Sequence, residues 1–295
     1  MPAPIVFWMS LAGVVFLIAG MFAFRREVQA AAGLDKWIAL GSVFVAAPLA
    51  TFGAEHLTAA RSLMEAVPEW MPGRLFWAYF VGVCLVAAAV SLTVKKYVTL
   101  TTALLAVMFF SFVCMIHLPN LLPHLKERLF WTIPLRDAVF GAGALALAGA
   151  LRKGADGRGS NWPITFGRLL IAAALIFFGV QECLYPKFAP GVPLPKMTPA
   201  WVPLPALWGF LCGVILIVCG VCLLVNKYAR GAAACVGAVM AVLTLILYVP
   251  ILLLNSGTGP LVEGLNYVAD TLLFGGALLF LARALPKESS SVSAT

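Results

Sequence analysis

The sequence predicts an all-α, polytopic integral membrane protein with about nine transmembrane helices, and three observations support that fold class. Hydrophobic residues make up 62% of the 295 residues and charged residues only 11%, whereas soluble domains have roughly 45–50% apolar and about 25% charged residues. Nine apolar runs are long enough to cross a hydrocarbon core of about 30 Å, which requires roughly 20 residues per helix. The last eight runs form two copies of one four-helix pattern.

Short polar or proline-containing links separate the predicted spans. The first span has no basic residues before its apolar run, and two arginines follow the run, which is the reverse of a signal peptide. We therefore expect it to remain as a helix. The nine spans are predicted near residues 5–24, 37–56, 75–94, 98–118, 134–151, 165–185, 204–225, 230–254 and 267–284.

An internal repeat is the most informative feature of the sequence. Residues 77–97 align with residues 208–228 at an offset of 131, and nine of these 21 positions are identical. The same offset superimposes the P-x-W-x-P motif at 68–72 on that at 199–203. Four helices per copy is an even number, so both copies start from the same side of the membrane. We therefore expect parallel repeats, two four-helix bundles related by a pseudo-twofold axis along the membrane normal.

The repeat divides the chain into five predicted segments. They are an N-terminal transmembrane helix with a basic loop, a first repeat, a cytoplasmic linker, a second repeat and a disordered cytoplasmic tail. Their boundaries are 1–36, 37–152, 153–163, 164–286 and 287–295.

The distribution of basic residues predicts the orientation. Thirteen Lys and Arg residues fall on one side of the predicted membrane and seven on the other, which together account for all 20. Because the richer side is normally cytoplasmic, we expect the N-terminus outside and the C-terminus in the cytoplasm. The net charge of +8 follows from this topology, so no nucleic-acid partner is expected.

Ionisable and polar side chains collect towards the predicted outer ends of the spans. Such residues are costly in lipid and usually mark a functional site or a pair that lines the bundle. Glu55 and His56 close the second span and Glu182 closes the sixth, and we expect these three to be catalytic, proton-carrying residues. Further candidates for binding a cofactor are His117, Asp137, Gln181, Tyr248, Asp270, Trp77 and Trp208.

Structural interpretations of these residues stay open. Asp137 and Asp270 lie near predicted helix N-termini, where the helix dipole stabilises a carboxylate by about 0.3–1 kcal/mol. His117 comes just before a proline that ends or kinks the helix. Trp77 and Trp208 suit the aromatic belt of the membrane interface as well as a quinone ring.

A haem or metal site is not expected. The chain has three histidines, and His56 and His117 belong to different helices at similar depth. The matching positions of the second copy hold Glu182 and Tyr248, so the pair of histidines is not repeated.

The motifs resemble those of the DoxX-like superfamily of four-helix membrane proteins. They are G-x-x-H at 53–56, G-x-x-E-x-x-x-P at 179–186, and the P-x-W-x-P that follows in each copy. The resemblance covers roughly residues 40–150 and 165–285, which describes a fused tandem protein with an added N-terminal helix. The second copy has Glu182 where the family commonly has His, and the first copy lacks the following proline.

The resemblance implies a redox-associated subunit at the outer face of a bacterial cytoplasmic membrane. Some relatives are subunits of thiosulfate:quinone oxidoreductase, and others associate with redox enzymes, so a quinone or a partner oxidoreductase is the expected ligand. A further branch resembles non-enzymatic cargo receptors, which leaves a scaffold, chaperone or receptor-like subunit of a larger complex or oligomer as the alternative. Parallel repeats, with polar residues in one leaflet, disfavour a solute transporter.

Overall fold

A computed structural model describes residues 3–156, 160–192, 196–254 and 261–287. Within those ranges nine helices are long and apolar enough to cross a membrane, which confirms the predicted all-α polytopic fold. Residues 157–159 of the predicted linker and 288–295 of the predicted tail lie outside the described residues. The nine helices are α1 (Ala3–Ala23), α2 (Asp35–Thr58), α3 (Arg74–Val94), α4 (Val98–Phe112), α5 (Thr132–Asp156), α6 (Trp162–Leu184), α7 (Pro205–Leu224), α8 (Ala229–Leu243) and α9 (Leu261–Ala284).

Helices α4 and α8 each continue through a π-helical turn into a short α-helix. The two turns are Val113–His117 and Thr244–Tyr248, which lie at the offset of the sequence repeat. Turns of this kind are frequent at functional sites. Both end on a residue that the sequence marks as a candidate for ligand binding.

The connections between α3 and α4 and between α7 and α8 repeat the same backbone conformation. Lys95 and Tyr97 both have φ of 59°, and Asn226 and Tyr228 have φ of 57° and 54°. Left-handed conformations are uncommon in residues other than glycine. Their recurrence at equivalent positions shows that the two connections share a backbone geometry although their sequences differ.

The two repeats interlock through their first and last helices. α2, the first helix of the first repeat, packs against α9, the last helix of the second, and α6 packs against α5 in the same way. Gly41 on α2 meets Leu279 on α9, and Gly167 on α6 meets Ala146 on α5. These two contacts occupy equivalent positions of the repeat, as expected for a pseudo-twofold relation.

Helices α5 and α9 pack against each other between the two repeats, and a glycine permits their close approach. A Cβ atom added at Gly143 would lie 2.9 Å from the Cα atom of Ala277. Since lipid provides no hydrophobic driving force between helices, small residues that let backbones approach are a main source of their association. Val139 on α5 and Leu278 on α9 are both fully buried.

One end of the molecule gathers basic residues, and we call it the basic end. There Asp35 Oδ1 lies 2.6 Å from Arg230 Nη2, and Asp35 Oδ2 lies 3.1 Å from Lys287 Nζ. Lys95 lies at the same end, paired with Glu27. It corresponds to the side of the membrane that the sequence predicts to be cytoplasmic.

A matched pair of glycine substitutions tests the α5–α9 contact. Gly143→Ala is expected to lower the thermal unfolding midpoint, since overpacking a tight core costs about 1–3 kcal/mol. Gly231→Ala on α8 is the control, because a Cβ atom there meets nothing within 4 Å. Thermal unfolding in one detergent compares the two variants, and equal midpoints would contradict the contact.

Candidate functional site

A buried cluster of charged side chains joins three helices at the end opposite the basic end. Arg136, near the start of α5, forms an ion pair with Asp270 on α9, and its Nε lies 3.3 Å from Asp137 Oδ1. His117, at the end of the π turn after α4, places Nε2 2.9 Å from Asp137 Oδ2. We call these four residues the charged cluster.

The charged cluster links equivalent positions of the two repeats. Asp137 and Asp270 correspond to each other in the sequence repeat, and both are buried. One guanidinium, that of Arg136, pairs with both carboxylates. Removing one partner from a buried ion pair costs about 3–5 kcal/mol, so the arrangement holds α5 and α9 at a defined relative position.

Glu55 and Asn266 extend the charged cluster towards α2. The Asn266 side-chain amide donates to Glu55 Oε1 at 3.3 Å, and Glu55 lies within electrostatic range of Asp270. Asn266 and Asp270 are four residues apart, so they share one face of α9. Two carboxylates therefore pair with a single guanidinium, and Asn266 connects Glu55 on α2 to the same face of α9.

A different site surrounds Glu182 at the end of α6. Its side chain is 2% exposed, and neither carboxyl oxygen has a hydrogen-bond partner among the described residues. The Gly191 backbone amide faces the carboxyl group without completing a hydrogen bond of normal geometry, and the side chains of Cys212 and Tyr248 are further neighbours. The Arg128 guanidinium is the cation within electrostatic range. The Tyr248 hydroxyl donates to the Pro190 carbonyl at 2.9 Å. The site thus combines a buried, unpartnered acid with a neighbouring phenol that is held in place.

The proline-rich loop that follows α6 covers the Glu182 site. Ala189 and Val192 are buried, and the Ala189 amide donates to the Lys196 carbonyl at 2.9 Å. Residues 193–195 of this loop lie outside the described ranges. The part that is described inserts apolar side chains at the end of the second repeat, which limits access of water to Glu182.

The two candidate tryptophans occupy equivalent environments. The indole N–H of Trp77 donates to the Pro72 carbonyl at 3.0 Å, and that of Trp208 donates to the Pro203 carbonyl at 3.1 Å. Each bond ties the first turn of α3 or α7 to the P-x-W-x-P motif before it. The motif and the tryptophan therefore form one structural unit in each repeat.

His56 and Gln181 take different environments. His56 Nδ1 lies 2.9 Å from the Phe52 carbonyl, one turn earlier on α2. Gln181 has a buried Oε1 atom without a hydrogen-bond partner in the described ranges. Neither residue belongs to the charged cluster.

Among the residues that the structure describes, no group of three or more His, Cys, Asp or Glu side chains is suited to a metal ion.

Arg136 and Asn266 contribute to the site but are absent from the candidates predicted from sequence. Asn266 falls just before the predicted ninth span, whereas α9 already begins at Leu261. Its position one turn before Asp270 is the signal that could have identified it. Arg136 adjoins Asp137 in the sequence, and a buried carboxylate requires a partner of this kind.

Comparison with known proteins gives no relative: no family model matches the chain, and no curated protein or solved structure is significantly similar to it. The class of protein therefore rests on the fold and the site alone. It is an all-α integral membrane protein with a charged cluster at one end, where the structure also describes a covered carboxyl group with no hydrogen-bond partner among the placed residues.

Neutralising the charged cluster one member at a time tests its structural role. Arg136→Gln leaves Asp270 buried without its cation and is expected to destabilise the protein by about 3–5 kcal/mol. The double variant Arg136→Gln with Asp270→Asn is expected to regain part of that loss, because residue 270 is then neutral while Asp137 keeps its contact with His117. Thermal unfolding midpoints of both variants are compared with that of the exposed control Arg61→Gln. A double variant no more stable than the single one would contradict the ion pair between Arg136 and Asp270.

Proposed function

We propose that this chain is a DoxX-like, redox-associated membrane subunit that works with a quinone or a partner oxidoreductase at the outer face of the membrane. In this proposal the head group of the quinone exchanges a proton with Glu182 beneath the proline-rich loop. The observation that supports it most is the burial of the Glu182 carboxyl group without a hydrogen-bond partner among the described residues.

A buried polar group without a partner costs about 1–3 kcal/mol, and more if it is charged. Proteins retain such a group where its free hydrogen-bonding capacity serves ligand binding or proton transfer. Intramembrane ionisable residues are functional candidates for that reason. A carboxylic acid can donate to a quinone oxygen and can accept a proton from the reduced form. Glu182 is the only one of the three predicted catalytic residues without a hydrogen bond in the described part of the chain.

The environment of Glu182 suits an aromatic head group. Tyr248 provides a buried phenol on one side, and the covering loop supplies apolar contacts through Ala189 and Val192. An apolar cavity with a few convergent polar groups is the usual composition of a ligand site. Binding requires the loop to move aside, since its residues now occupy the approach to the carboxyl group.

Two substitutions at Glu182 separate binding from proton exchange. Glu182→Ala is expected to weaken binding of a short-chain quinone by about tenfold, equivalent to about 1.4 kcal/mol. Glu182→Gln retains a hydrogen-bonding group but no titratable proton, so it is expected to bind with an affinity that no longer varies between about pH 5 and 9. Equilibrium titration of the purified protein in lipid nanodiscs measures both effects.

The exposed Glu69→Gln serves as the control, since it removes a carboxyl group from a solvent-accessible position. It is expected to leave both the affinity and its pH dependence unchanged. A Glu182→Gln variant that folds normally and keeps the pH dependence of the native chain would contradict a proton-exchanging role.

The first repeat offers the counterpart site in Glu55 and His56. The double variant Glu55→Gln with His56→Ala is expected to abolish ligand binding or electron transfer while assembly stays intact, because glutamine can still accept the hydrogen bond from Asn266. Quinone binding and size-exclusion profiles of the variant provide the measurement. Unchanged binding would remove the first repeat from the proposed chemistry.

The paired state of the charged cluster favours a second candidate function, a non-enzymatic scaffold or receptor-like subunit. In that case His117, Asp137, Arg136 and Asp270 stabilise helix positions, and a partner protein binds the outer loops. Gentle purification in native-like lipid, followed by mass spectrometry and visible spectroscopy, discriminates the two. Bound quinone or a redox partner supports the first proposal, whereas a stoichiometric non-redox partner without quinone supports the second.

A further inference from the structure

A cavity that is open to the surface lies at the basic end, where Lys95 of the first repeat meets the end of the N-terminal helix. Its volume is about 400 Å³, and its lining residues are Phe22, Ala23, Arg25, Arg26, Glu27 and Lys95. Ligand sites in proteins have volumes of roughly 300–1,000 Å³. The cavity is therefore large enough for a small polar group.

The turn after α3 directs Lys95 into this cavity. Lys95 has a left-handed backbone conformation, with φ of 59°, and its Nζ donates to the Ala23 carbonyl at 2.8 Å. The same ammonium group pairs with Glu27 and lies 4.2 Å from the centre of the Phe24 ring. These contacts hold a cation against the junction between α1 and the short helix Arg25–Ala30.

The cavity has an excess of positive charge. The hydrogen bond from Lys95 lowers the pKa of Glu27, so this carboxyl is ionised at neutral pH. Three cations then face one anion. The Arg25 guanidinium lies 4.2 Å over the Phe22 ring, and Arg26 has no ion pair within the described ranges.

The wall of the cavity continues onto the apolar surface of α1. Phe22 is 66% exposed and Ile18, one turn earlier, is 64% exposed. In a membrane-spanning helix these side chains contact acyl chains. Cations thus stand directly beside a hydrocarbon-facing surface, at the level where head groups begin.

We propose that this cavity binds the phosphate of an anionic phospholipid, with Arg25, Arg26 and Lys95 around the phosphate and an acyl chain along Phe22 and Ile18. Basic pockets beside transmembrane helices attract anionic head groups, and each Lys or Arg near an anionic membrane surface contributes about 1 kcal/mol. The second repeat has no equivalent, because Asn226 occupies the position of Lys95. The other two cations, Arg25 and Arg26, directly follow α1. The proposed lipid site therefore depends on the added N-terminal helix.

Lipid binding to the purified chain tests the proposal. Phosphatidylglycerol is titrated into the protein in detergent, and bound lipid is counted by native mass spectrometry, with phosphatidylcholine and inorganic phosphate as reference ligands. The double variant Arg25→Gln with Arg26→Gln is expected to weaken phosphatidylglycerol binding by about tenfold or more. Glu27→Gln removes the one negative charge and is expected to strengthen it.

Lys96→Gln with Lys227→Gln is the matched control, since it removes two exposed positive charges from the same end but outside the cavity. It is expected to leave phosphatidylglycerol binding unchanged. Equal loss in the two double variants, or equal affinity for phosphatidylcholine, would overturn the site. Inorganic phosphate binding as tightly as the lipid would overturn the lipid assignment and leave a free-anion site.

Discussion

The contact between α5 and α9 is the constraint on which the rest of the molecule depends. In lipid, helices gain nothing from hydrophobic burial against one another, so close packing and satisfied polar groups must hold them. Both occur here: Gly143 lets the two backbones approach Ala277, and Arg136 pairs with Asp270 at the polar end. Because α5 closes the first repeat and α9 closes the second, this contact determines how the two repeats combine.

That constraint also explains why the two repeats carry different sites. Arg136 supplies one positive charge to two equivalent carboxylates, Asp137 and Asp270, so the charge is centred on the boundary between the repeats. Glu182, in the second repeat, is left without a hydrogen-bond partner among the described residues. The two repeats therefore contain one ion-paired cluster at their boundary and one buried carboxyl group beneath the proline-rich loop of the second repeat.

The two ends of the molecule differ in physical character. The basic end presents cations, several of them exposed, near the lipid head groups, and the N-terminal helix adds a cavity there. At the opposite end the charged cluster is ion-paired, and its two carboxylates are buried. The proposed anion-binding surface and the proposed proton-exchanging group can act independently, since they lie at opposite ends of the helices.

The sequence by itself determined the nine spans, the repeat and the uneven distribution of basic residues, because hydrophobic run length, an offset of 131 and loop charge are all local properties. It also identified His117, Asp137 and Asp270 as polar residues at the predicted outer ends of helices. Only the tertiary structure decided that Arg136 joins Asp137 to Asp270 and that Asn266 reaches Glu55. It also decided that Glu182 has no such partner among the described residues. Pairing depends on which helices become neighbours, and α2 lies beside α9 only after the two repeats interlock.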